Sequence, residues 1–233
     1  MTGPSAFTVL CCRAGRPDPV DRSKLSAAVA GILDACVDHS VEFAGSRPGK
    51  SIDRLLDGRV LVVGDDADLA AVALRLLRRE LLGSVDVAYA SPGRTAVTDL
   101  WRLPTGADAA RLALSGRVEP VPLVRDDVGG VLVGVASLGP LTGTVYVDEH
   151  RVLQGSAHEL RVRPDLEKGL AVTVTDRRFA GLGRRSQTTN GRAVQIGCAA
   201  TVVVRDGVAY PRPMDRWTFY KHTEPLRLVR SSL

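Results

Sequence analysis

Apolar residues fall along this chain in two regimes. Up to about residue 116, short apolar runs alternate with segments of helical spacing. Residues 5–12 read as a first short strand, and "RPDPVDRS" as a loop. Leu25, Ala28, Val29, Ile32, Leu33, Cys36 and Val37 then share one helical face, with Asp21 or Ser23 as the N-cap. "VEF" is a short strand, and "GSRPGKSIDRLLDG" a loop with a short helix ending at Gly58. "RVLVV" predicts a buried strand. Residues 69–82 predict a helix with Leu69, Val72, Ala73, Leu76 and Leu77 inward. "VDVAYA" is the next strand, broken by "SPGRT", and residues 107–115 form a further helix. Strand alternating with helix predicts a mostly parallel sheet.

From Val121 onward the pattern changes. Short apolar stretches ("PVPLV", "GVLVGVA", "GTVYVD", "HELRVRP", "LAVTVT", "AVQIGC", "ATVVVRDG", "LRLV") are separated by turn signals such as "RDDVGG", "DEH", "DLEKG" and "DG". None has helical spacing, so this half reads as antiparallel β, a sandwich or barrel. A Gly- and Arg-rich loop, "DRRFAGLGRRSQTTNGR", lies between two of these strands. The boundary falls near residues 116–122. The fold class is therefore α+β with two domains, an α/β domain of mostly parallel sheet followed by an antiparallel sandwich. No repeat or low-complexity tract interrupts it.

Composition narrows this picture. The 233 residues are 45% hydrophobic and 24% charged, enough for one large domain or two small ones. Aromatics are only 4%, so the core is mostly Val, Leu and Ala. No apolar run approaches the ~20 residues of a membrane span, and "AFTVLCC" is too short for a signal core and lacks basic residues before it. Cys11, Cys12, Cys36 and Cys198 make no CxxC pair and no zinc spacing, so they read as reduced thiols of a cytoplasmic protein, the first two buried in a strand. The net charge is +5 and the pI about 9.3. Nearly all the positive charge is arginine, which suits phosphate or carboxylate partners; a GC-rich coding sequence accounts for it equally well.

Three motifs carry candidate chemistry. "AGSRPGKS" misses the phosphate-loop pattern because Ala44 stands at the first glycine, and it reads as an exposed turn. "LVVGDDADLAAV" runs a strand into a helix at the carboxyl end of a sheet, where ligands of open α/β sheets sit. Asp65, Asp66 and Asp68 there are either N-caps and first-turn acids, or more carboxylates than capping needs and a magnesium site. Asp206-Gly207, in "VVVRDGVAYPRP", is by itself a hairpin turn.

Taken in order, these pieces resemble the diacylglycerol kinase and NAD kinase superfamily, in particular its bacterial lipid-kinase branch. That family runs a strand into a Gly-Gly-Asp-Gly-Thr turn and a helix, then a Pro-Leu-Gly-Thr-x-Asn-Asp-Phe-Ala loop, then a β-sandwich with a late Asp-Gly-Glu. Here "GDDADL" occupies the first turn, with Gly64 at the first glycine and Asp66 at the aspartate. "SPGRTAVTDLWRLP" occupies the second loop, including Gly93 and Thr95, and "VVVRDGVAYPRP" keeps Asp206 and Gly207. The resemblance covers roughly residues 25–230. It implies an α/β nucleotide-binding-like domain over 1–120, completed by 217–233, and a β-sandwich over 121–216. It implies ATP and Mg2+ as cofactors, Asp66 and Asp206 as catalytic groups, and Asp66 and Asp68 as metal holders. Gly64, Asp65, Asp68, Gly93 and Thr95 are the implied cofactor-binding residues.

The departures are as informative. Asp65 and Ala67 replace glycines that let backbone approach phosphates, and a carboxylate at 65 adds repulsion. Asp68 replaces the family's threonine, the second loop lacks its Asn-Asp pair, and Val208 replaces the glutamate. One expectation is a degenerate, pseudokinase-like member that binds a lipid, a nucleotide or a protein partner. The alternative is an active ATP- and Mg-dependent lipid kinase or NAD kinase-like phosphotransferase, with Asp65 or Asp68 supplying metal charge. Nucleic-acid binding through Arg177, Arg178, Arg184, Arg185 and Arg192 is the weakest reading, since only Phe179 is interleaved for stacking. Arg212, Arg216, Trp217 and Lys221 offer either a peripheral patch for the inner membrane face or an edge strand with Trp217 packed beneath the domain junction. His222 reads as structural, and a homodimer is left open.

Overall fold

The computed structural model describes residues 7–12, 25–177 and 184–231. The chain divides into two compact units, residues 1–120 with 225–233, and residues 121–224. Residues 217–224, expected with the α/β unit, belong to the β unit instead, because Met214–Lys221 pairs within its sheet.

In the first unit the chain runs β1 (Phe7–Cys11), α1 (Ala27–Asp34), β2 (Ser40–Phe43), a 3-10 turn (Lys50–Leu55), β3 (Arg59–Val63) and α2 (Asp66–Arg78). β4 (Asp86–Ala90), α3 (Ala96–Trp101), α4 (Gly106–Ser115) and β5 (Arg117–Val121) follow. The last strand of the chain, Leu226–Arg230, returns between β4 and β5. The sheet order is β2-β1-β3-β4-last strand-β5, with β1 parallel to β2 and β3, and β4 parallel to β3 and the last strand. Val9, Leu61, Val63, Ala88 and Ala90 form one core with α1 and α4, while their alternate neighbours Leu10, Val60, Val62 and Val87 are fully buried too. Both faces are thus covered, which explains the unbroken apolar run of "RVLVV".

Two helices differ from the periodicity at their ends. α1 starts at Ala27 with Ser26 as its N-cap, whose Oγ accepts from Val29 N; Asp21 and Ser23 lie outside the described residues. α1 also stops at Asp34, which leaves Val37 70% exposed although Cys36 is buried. α2 begins three residues before its apolar stripe because its first turn is acidic, and it ends at Arg78, so Leu77 is only half-buried. Arg75 pins α2 to the 3-10 turn through two bonds to Asp53, at 2.8 and 2.6 Å.

The second unit holds β6 (Val124–Asp126), β7 (Val131–Leu132), β8 (Ala136–Leu138), β9 (Leu141–Val147), β10 (His150–Ala157), β11 (Glu159–Asp165) and β12 (Gly169–Arg177). It continues with β13 (Arg184–Gly191), β14 (Ala193–Thr201), β15 (Val204–Arg205), β16 (Val208–Ala209) and β17 (Met214–Lys221). They make two six-stranded sheets, β10-β9-β14-β17-β6-β7 and β13-β12-β11-β8-β15-β16. Their facing residues share one core, with Val145, Ile196 and Phe219 from one sheet and Leu160, Val162 and Val172 from the other, which is a sandwich.

Three readings of this half change. The arginine-rich segment is not all loop: residues 184–191 form β13, paired in register with β12, while 178–183 lie outside the described residues. β10 was likewise absent from the apolar pattern; it is mostly exposed and polar. β17 is an interior strand, and Trp217 is fully buried in the sandwich core, stacked on Phe219 at 5.9 Å. Trp217 therefore cannot anchor a membrane patch.

Candidate functional site

The strand order places the switch point of the first sheet between β1 and β3, since the chain leaves β1 toward β2 on one side and returns through β3 on the other. The turn at Gly64–Asp68 lies at the carboxyl end of β3, at that point.

Asp65 is the N-cap of α2. Its Oδ1 accepts from Asp68 N at 3.0 Å, and Asp68 Oδ2 accepts from Asp65 N at 3.0 Å, which closes a reciprocal capping box. Asp68 reaches further. Its Oδ1 accepts from the backbone N–H of Arg47 at 2.6 Å, so the near-miss phosphate loop folds back onto the turn. Asp68 is fully buried. Its carboxylate also occupies the space beside Gly64: a Cβ there would lie 2.9 Å from Asp68 Cβ and closer still to Oδ2. Gly64 is thus kept free of a side chain by a carboxylate of the same chain. Burial pushes the Asp68 carboxyl above the ordinary carboxylate range, against the two N–H bonds that stabilise its charge.

Asp66 is buried. Its Oδ1 accepts from Tyr89 Oη at 2.9 Å and its Oδ2 from Val97 N at 3.3 Å. The hydroxyl of Tyr89, the next-to-last residue of β4, also reaches Gly64 O at 3.4 Å and lies near the side chains of Thr95 and Ser91. Burial first, then the charge of Asp66, holds the Tyr89 phenol well above its usual range, so it stays a donor. Thr95 caps α3 in a second reciprocal box with Thr98, at 3.2 and 2.7 Å. Gly93 is exposed, with open space where a Cβ would stand. The structure therefore gathers Gly64, Asp65, Asp66, Asp68 and Thr95 at one edge of the first sheet and adds Tyr89. A strand tyrosine 23 residues from Asp66 carries no local signal for that contact.

The edge is electrically negative. The Cys12 thiol at the end of β1 is pushed well above its ordinary range, by burial first and then by Asp68, Cys11 and Asp65. No group of three acidic, His or Cys side chains suited to a metal ion occurs among the described residues.

Asp206 lies in the second unit, at the hairpin turn between β15 and β16, with φ 46°. Its carboxylate accepts from three successive backbone N–H groups, Val133 at 3.1 Å, Gly134 at 2.8 Å and Val135 at 3.1 Å. That engagement ties the hairpin to the connection between β7 and β8 and accounts for a buried carboxylate in structural terms. Beside it, Arg205 pairs with buried Asp126 and lies over the rings of Tyr210 and Trp217. His222 donates its backbone N–H to Leu123 O at 2.7 Å. Burial, then Arg125, lowers its imidazole below the ordinary value. No helix among the described residues is long and apolar enough to cross a membrane.

No protein-family model matches the sequence, and no curated protein matches it. Its fold is nevertheless that of solved kinases. A diacylglycerol kinase from Bacillus anthracis str. Sterne superposes with a TM-score of 0.66 at 12% identity, over 99% of this chain and 98% of that one. An NAD kinase from Archaeoglobus fulgidus, solved in complex with ATP, superposes with a TM-score of 0.62 at 14% identity, over 97% and 94%. The chain thus shares its fold with these two kinases.

Proposed function

We propose that this chain is a kinase-fold protein that does not transfer phosphate from ATP and works as a ligand- or partner-binding module. The observation that carries this reading is the buried Asp68 carboxylate, which accepts the Asp65 and Arg47 N–H groups and fills the space beside Gly64. A phosphate entering the cradle would need those N–H donors and that space. It would meet three aspartates in the turn with no compensating side-chain cation bonded to them, among the described residues. A unit charge ~4 Å from another costs ~1 kcal/mol in water and several times that when partly buried.

Mg2+ does not rescue the arrangement. Each oxygen of Asp66 and Asp68 already accepts a hydrogen bond from Tyr89, Val97 or a backbone N–H, and both side chains are buried, so a cation would have only their remaining lone pairs inside a closed turn. Asp206, the other acidic residue retained from the family pattern, has its oxygens committed to the 133–135 backbone. These engagements favour the reading without Mg-ATP.

Phosphoryl transfer from labelled ATP with magnesium, to diacylglycerol in mixed micelles and to NAD, tests this. The expected rate equals that of Asp66→Asn protein and of no protein. Turnover that Asp66→Asn abolishes would establish the active-kinase reading instead.

A further inference from the structure

We propose that the first unit carries a pocket for a small phosphomonoester, apart from the Gly64 cradle and centred on Arg102. The proposal deepens the ligand-binding reading above and rests on it. A cavity of about 630 Å³ opens beside the connection from α3 to α4, and Arg94, Thr98, Asp99, Arg102, Thr105 and Ser231 contribute to its wall. These residues come from the segment after β4, the α3–α4 connection and the residue after the last strand, so the cavity lies at the carboxyl ends of two neighbouring parallel strands. Ligands of open α/β sheets bind at that edge. The volume is that of a small-molecule site and much exceeds what a bare inorganic ion fills.

The lining selects the ligand's charge. Arg94 pairs with Asp99 at 2.7 Å, but the two side chains are 82% and 54% exposed, so the pair is weak and a ligand oxyanion can exchange into it. Arg102 has no ion-pair partner among the described residues. It caps α3 in the left-handed region, at φ 52°, where glycine would cost less and relieve strain. Arg102 is exposed and lines the cavity. Thr105 lines the cavity and makes no side-chain capping bond to α4, a ten-residue helix whose first N–H, that of Gly106, donates to Ser91 O at 2.8 Å. Of the acids on these elements, Asp99 is the partner of Arg94 and Asp108 is bonded to Arg111. With Arg94 and Arg102 against Asp99, the charged lining is net positive, which favours an oxyanion, and the fork geometry of arginine suits phosphate. The remaining volume accommodates the organic group esterified to it.

The test is an amide NMR titration of the full chain near neutral pH and at fixed ionic strength, with glycerol 1-phosphate, inorganic phosphate and glycerol as probes. The expected result is a saturable shift of the amides of Arg94, Arg102 and residues 105–107 with glycerol 1-phosphate, a weaker one with phosphate and none with glycerol. Arg102→Asn tolerates the left-handed backbone, and it should weaken binding about tenfold with an unfolding temperature unchanged or raised. No shift, or undiminished binding by Arg102→Asn, overturns the proposal. If Arg102→Asn unfolds the protein, Arg94→Ala at its exposed position decides: weaker binding supports the pocket and unchanged binding overturns it. Failure here leaves the non-kinase reading intact, whereas ATP turnover overturns that reading whatever glycerol 1-phosphate does.

Discussion

Asp68 is a side chain standing where a ligand would stand. Truncating it leaves two part-buried N–H donors without an acceptor and α2 without half of its capping box. Asp68→Ala should therefore cost about 2 kcal/mol, measured as a lower denaturant midpoint. Gly64→Ala should destabilise the wild type by forcing its new Cβ against Asp68, and should cost much less in the Asp68→Ala background, where the obstructing group is gone. Equal costs in both backgrounds would mean that Asp68 does not fill the cradle. Asp206 is the parallel case in the second unit. Asp206→Ala strands three backbone donors and should cost about 3 kcal/mol by denaturation, leaving the ligand titration of the first unit unchanged. Gly64, Asp66 and Asp206 were all visible in the sequence as positions. Their engagements were not, because Tyr89 and Val97 reach Asp66, and residues 133–135 reach Asp206, across the fold rather than along the chain, as Arg47 reaches Asp68.

At the scale of elements, β3 and α2 were legible because burial on both faces makes a strand uniformly apolar, while a stripe at helical spacing marks a helix packed on one side. α3 was not legible: six residues are under two turns, too few for a period to show. β13 was hidden for another reason. "RRSQTTNG" has no apolar face, and it is held to β12 through cross-strand hydroxyl pairs, Thr173–Thr188 at 2.8 Å and Thr175–Ser186 at 3.0 Å. α2 has a second anchor in Asp53. The Arg75 bond first, and then the Arg75 charge, holds the Asp53 carboxyl below its ordinary range. A carboxyl lowered on folding contributes stability above its unfolded pKa and loses it as pH falls through the folded value. The wild-type denaturant midpoint should fall through that acid window. Asp53→Asn should start lower at neutral pH and lose less across the same window. Parallel curves for the two proteins would contradict the pairing.

At the scale of the whole molecule, the two-unit fold survives with 12–14% identity to solved kinases because it depends on buried Val, Leu and Ala patterns that many sequences satisfy. Phosphate chemistry depends on a few backbone approaches and carboxylates, and those are where this chain departs. Trp217 shows the same separation: an aromatic beside exposed arginines reads in sequence either as an interfacial anchor or as packed beneath the domain junction, and it lies in the sandwich core. Trp217→Ala should cost about 3–5 kcal/mol by denaturation, with no change in sedimentation with anionic vesicles. The most direct test of the filled cradle is the amide resonances of Asp65 and Arg47 in the full chain, followed during titration with Mg-ATP. Both should stay in place up to saturating concentrations of a typical kinase, because Asp68 already holds their N–H groups. A saturable shift of both, with the Asp68 carboxyl displaced, would contradict the account.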